Sequence, residues 1–84
     1  MRVADYVKPK FVVSAGFWRY QDWLRKTNKS MAEFVYVSRP DKLMGVERGT
    51  QIYYLENYWK AERFEEIHSI AKQREFEMIH IDKI

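Results

Sequence analysis

His68 and His80 are the only imidazoles in the chain, and Asp82 follows His80 by two positions. Residues two apart on an extended strand project from the same face. With Ser14 or Ser38, this pair supplies the side-chain types of a Ser-His-Asp hydrolase. Such a nucleophile needs a sharp, strained strand-to-helix elbow, and neither serine sits in one. His80 is therefore read as a half-buried strand residue and His68 as a boundary residue beside an apolar helical stripe. Glu65 and Glu66 read as solvated. Gly16 is a second candidate, because it opens a helical stretch, and free N–H groups at a helix start attract anions such as phosphate. Neither Gly-x-x-x-x-Gly-Lys-Ser/Thr nor Gly-x-Gly-x-x-Gly is present, so an ordinary turn is the simpler reading. With no cysteine and two histidines, a closed zinc site lacks ligands. No catalytic residue, metal or cofactor is expected.

A third group is basic and aromatic. Arg19, Arg25, Lys26 and Lys29 run along and just past the first helical stretch, and Arg39, Lys42 and Arg48 gather around a central turn. Trp18, Tyr58 and Trp59 supply rings. Cations with exposed rings can hold single-stranded nucleic acid by backbone pairing and base stacking. The same residue types dominate protein–protein hot spots.

These side chains are positioned by alternating extended and helical segments. Two apolar, β-branched and aromatic runs, Phe34 to Ser38 and Gln51 to Leu55, are separated by turn residues, as strands are. They are expected near the middle of a sheet. Before them come a short strand, Lys10 to Ser14, and a helix from Phe17 to Lys26. Phe17, Tyr20 and Leu24 share one face of that helix, with Trp23 beside them and Trp18 off the stripe. Asn28 is a suitable left-handed cap. Pro40 to Gly45 can make one short helical turn. Glu56 to Trp59 reads as a loop, Lys60 to Arg74 as the longest helix, and Phe76 to Ile81 as the last strand. Phe64, Ile67, Ile70 and Ala71 form the buried stripe of the second helix.

The order β-α-β-β-α-β predicts an α/β fold over residues 1–84: a two- or three-layer sandwich on a mainly parallel four-stranded sheet, Rossmann-like or P-loop-like but minimal. The weakest element is the connection Arg39 to Thr50, close to the shortest length that permits a parallel crossover. Fourteen aromatics in 84 residues are more than a core of this size plainly needs, at ~150–250 Å² each. The surplus suggests an exposed contact surface.

Net charge is +3, divided unevenly. Residues 1–48 carry ten Lys/Arg and five Asp/Glu, giving +5, and residues 49–84 carry five and seven, giving −2. The first nine residues lack a signal-peptide pattern, and no run approaches the ~20 apolar residues of a membrane span. The expectation is a cytoplasmic protein without a membrane partner.

The segment Ser38-Arg39-Pro40-Asp41-Lys42-Leu43-Met44-Gly45, followed by Gln51-Ile52-Tyr53-Tyr54-Leu55-Glu56, resembles the middle of viral terminase-type P-loop ATPases. About twenty residues carry the likeness. It implies Glu56 at the acidic position that ends the Walker B strand, and a phage-like source. The Ser14-Ala15-Gly16-Phe17 turn has no lysine, and Asn57 follows Glu56 where a second acid is usual. The resemblance therefore implies a nucleotide-binding domain that has lost hydrolysis.

In an open parallel sheet, ligands bind beyond the carboxyl ends of the strands. That rule selects a rim of Gly16, Trp18, Arg39, Asn57, Tyr58 and Trp59. The expected function is non-catalytic binding of a protein partner, or of a second copy of the chain. Nucleic acid, held by Arg19, Arg25, Lys26, Lys29, Lys42 and Arg48, is the alternative, and a degenerate nucleotide-binding domain is the second.

Overall fold

The computed structural model describes residues 9–81. The expectations for Asp82 and for the first eight residues lie outside that range. Strand β1 (Lys10–Val13) leads into helix α1 (Phe17–Thr27) and strand β2 (Phe34–Tyr36). A 3₁₀ turn, Pro40–Leu43, precedes strand β3 (Gln51–Tyr54). A second 3₁₀ turn, Tyr58–Lys60, helix α2 (Phe64–Gln73) and strand β4 (Glu77–His80) complete the order. The strands form one sheet in the order β2-β1-β3-β4, and every pairing is parallel.

The expected small α/β fold is therefore observed, with one correction in its interior. Phe34–Ser38 is not central. β2 is an edge strand, and β1 lies between it and β3. The Arg39–Thr50 connection carries the chain across β1 on its way to β3, and Leu43 is its completely buried anchor. β2 is apolar because both its faces are covered even at the edge. Phe34 meets Trp23 edge-on at 5.2 Å, while Val35 packs into the core on the opposite side.

Alternation along the strands divides the molecule into three layers. Val12 and Phe34 bury Tyr20, Trp23 and Leu24 of α1 on one face. Phe11, Val13, Ile52 and Tyr54 bury Leu43 together with Ile67 and Ala71 of α2 on the other. Both helices are held by apolar stripes spaced three and four apart. Phe17 departs from its expected place in the α1 stripe: it lies at the layer's margin and is exposed.

The start of α2 also differs from its sequence reading. Lys60 belongs to the 3₁₀ turn, and Arg63 takes a left-handed φ of 57° that stops a helix from continuing through it. Asn28 is the left-handed cap of α1, as expected, with φ 58° and its N–H directed to the Arg25 and Leu24 carbonyls. Gly45 and Gly49, at φ of +78° and +77°, turn the crossover at positions where a Cβ would be strained.

Candidate functional site

Because all strands run the same way, their carboxyl ends share one rim. The direction of the chain reverses between β1 and β3: β1 connects outward to β2 on the α1 face, and β3 connects outward to β4 on the α2 face. This is the topological switch point, the place at which open parallel sheets bind their ligands. Ser14, Gly16, Glu56 and Asn57 stand there. Ser14 is buried, and its hydroxyl donates to the Gly16 carbonyl at 2.6 Å. Gly16 is extended (φ −172°), and no atom lies within 4 Å of where its Cβ would be. Neither backbone geometry nor close packing requires glycine at this turn. Glu56, the acid that the terminase resemblance singles out, is exposed next to Leu55, whose N–H donates to the Val13 carbonyl at 2.9 Å.

Farther along the rim, rings gather on the α2 side. Tyr58 packs against Tyr54 at 5.1 Å, Trp59 at 5.2 Å, Phe64 at 5.3 Å and His80 at 5.3 Å. His80 is exposed rather than half-buried, because it closes an edge strand, but its ring lies 5.0 Å from Tyr54. His68 is the expected boundary residue; its Nδ1 sits 3.1 Å from the Tyr54 hydroxyl. Burial, with a smaller contribution from nearby Tyr58, pushes the Tyr54 phenol up to about 12. Arg39 stands apart, its Nε 3.5 Å from Asp41 at the end of β2. Among the described residues no three His, Asp or Glu side chains gather as a metal site would need. No helix there is long and apolar enough to cross a membrane.

Of the six rim candidates, Gly16 and Asn57 follow the adjacent strands β1 and β3 at the switch point, and Tyr58 and Trp59 join the ring cluster. Trp18 joins neither. Its side chain lines a groove of about 370 Å³ on the flank of α1 with Gln21, Leu24, Arg25, Lys29 and Met31. A second groove of about 490 Å³ adjoins it through Met31 and is lined by Phe17, Tyr20, Val35, Tyr36, Ser38 and Lys42. Together they make a continuous strip along α1 and the free edge of β2. Trp18 is 76% exposed, Met31 54% and Phe17 44%.

The cations of the nucleic-acid alternative divide unequally. Arg25, Lys29 and Lys42 line this strip. Lys26 pairs with Asp22 at 3.2 Å, and Arg25 reaches the same carboxylate at 3.9 Å. Arg19 is exposed on α1. Arg48 pairs with Glu75 at 3.2 Å, at the amino-terminal side of the sheet, away from the others. Met31, Phe17 and Tyr36 line this strip and are absent from the candidates that the sequence offers. Phe17 looked like part of the buried stripe; Met31, an apolar residue just past the α1 cap with no helical stripe to join, was the available signal.

A second ring-bearing surface lies on the opposite layer. Trp59, Ala61, Arg63, Phe64, Glu65 and Glu66 line a groove of about 550 Å³. Arg63 donates to both Glu66 oxygens, at 2.5 and 3.1 Å, and this holds the Glu66 carboxyl below its usual range.

Comparison of the chain with protein-family models, curated proteins and solved structures gave no match.

Proposed function

We propose that this chain is a binding module, not an enzyme, and that it engages a protein partner through the strip formed by α1, the connection after it and the β2 edge. The observation that carries this reading is the continuity of Phe17, Trp18 and Met31, three exposed apolar side chains in grooves that share Met31. Exposed apolar area of this kind, rimmed by charge, marks interaction surfaces. Methionine adds an adaptable contact suited to protein partners.

The backbone of β2 is poorly suited to accept an added strand. In a parallel ladder alternate residues face the neighbouring strand, so Glu33, Val35 and Val37 serve β1, and Phe34 and Tyr36 face outward. Phe34 is already occupied on both sides: its N–H donates to the Ser30 carbonyl at 3.0 Å, and its carbonyl accepts from the buried Tyr20 hydroxyl. Docking would therefore use side chains. A protein is favoured over nucleic acid because Lys26 is held by Asp22 at 3.2 Å and Arg48 pairs with Glu75 away from the strip.

The test is selection of displayed peptides on the immobilised chain, followed by measurement of their affinity for Trp18→Ser and Trp59→Ser. A hot-spot ring contributes ~2 kcal/mol or more, so Trp18→Ser should weaken the selected peptides by about 30-fold. Equal binding to Trp18→Ser would overturn the reading. Retention of a mixed oligonucleotide pool that collapses steeply as salt rises would assign the surface to nucleic acid instead.

A further inference from the structure

The two ring-bearing surfaces are opposite in charge and lie on opposite layers of the sandwich. On the α1 layer, Trp18 and Met31 are flanked by Lys29 and by Arg25, which reaches Asp22 only at 3.9 Å while Lys26 holds that carboxylate at 3.2 Å. On the α2 layer, Trp59 and Phe64 are flanked by Glu65 and by the exposed Glu62 just before the helix. Arg63 satisfies Glu66, whereas Glu62 and Glu65 make no ion pair among the described residues. Lys29 makes none either; its ammonium rests 5.1 Å from the centre of the Phe34 ring. Trp59 is 58% exposed and projects from the acidic surface.

We infer that the protein partner of the α1 strip is a second copy of this chain, which presents its Trp59, Glu62 and Glu65 surface to the Trp18, Met31, Arg25 and Lys29 groove. The inference rests on the protein-binding reading above and names the partner. Lys29 follows α1 and Glu65 lies on α2, on opposite faces of the sheet, and no ion pair among the described residues joins them within one chain. Glu62 lies nearer the strip, since burial and, less strongly, the Glu62 charge raise the pKa of the Tyr36 phenol. The contact between copies joins two different patches and is head-to-tail. Such contacts propagate into rings or open filaments and do not stop at a symmetric pair. Charge sets the register and the partner choice, and the rings supply the buried area. A contact with two exposed charges on each side weakens as salt screens it.

Charge exchange tests this directly by sedimentation. The wild-type chain should grow in size with concentration and shrink at high salt. The Arg25→Glu, Lys29→Glu variant and the Glu62→Lys, Glu65→Lys variant should each remain single chains, and mixing the two should restore the larger species. The milder pair Glu62→Gln, Glu65→Gln adds no positive charge at the start of α2 and should also reduce association; circular dichroism confirms that each variant is folded. A wild-type chain that stays single at millimolar concentration, or variants that fail to restore one another, overturns the inference. If self-association is absent but displayed peptides still depend on Trp18, only the identity of the partner is wrong. If both fail, the protein-binding reading falls with it.

Discussion

At the scale of single residues, Tyr54 combines the most interactions in least space. It is completely buried, its hydroxyl meets His68 Nδ1, and its ring touches Tyr58, Phe64 and His80. Removing the hydroxyl in Tyr54→Phe should cost about 1 kcal/mol near neutral pH, because half-buried His68 can turn to water for its lost bond. Alkaline pH gives a sharper signature. The phenol titrates at about 12 in the folded chain against 10.0 when free. Above pH 10 the unfolded chain therefore releases a proton that the folded chain still holds. Stability is fully present below pH 10 and falls as pH rises toward 12. Denaturant midpoints across that window should fall more steeply for the wild-type chain than for Tyr54→Phe; parallel curves would remove Tyr54 as the source. This arrangement was not legible in sequence, since Tyr54, His68 and His80 come from three elements and only the parallel pairing of β3 with β4 brings them together. Trp18 was legible, as a large ring off the helical stripe.

At the scale of elements, the strands and α1 followed from their patterns, while α2 began later than its charged and apolar spacing suggested. The reason is conformational. Arg63 and Glu75 both take left-handed backbone angles, φ 57° at each, and bracket the helix. Neither type favours that region, and no sequence rule signals it. The penalty for a side chain there is ~1–2 kcal/mol, offset in part by the ~0.5–1 kcal/mol that glycine loses in entropy. Glu75→Gly should therefore stabilise the fold by about 0.5–1 kcal/mol, a rise of a few degrees in Tm. Its ion pair with Arg48 is well exposed on both sides and contributes little. An unchanged or lower Tm would show that the Arg48–Glu75 pair outweighs the strain. The edge position of β2 was hidden for a related reason: an apolar run announces two covered faces and says nothing about its lateral neighbours.

At the scale of the whole molecule, the division of charge between the two halves of the sequence acquires a spatial meaning. α1 comes from the basic half and α2 from the acidic half, and the sheet holds them on opposite faces. The asymmetry was visible in the sequence; that it separates two ring-bearing surfaces required the topology. The rim drawn from strand ends included Tyr58 and Trp59, which follow β3, but also Trp18, which lies on the flank of α1 and at no strand end.

Three tryptophans now report on three environments: Trp18 on the basic strip, Trp59 on the acidic surface, and Trp23 buried between α1 and the sheet. The most direct test is to follow their indole N–H resonances while the folded chain is diluted from millimolar to micromolar concentration. If the strip docks a second copy, the Trp18 and Trp59 signals should move together and that of Trp23 should stay in place. Three stationary signals, or a shift of Trp23 equal to the others, would contradict it.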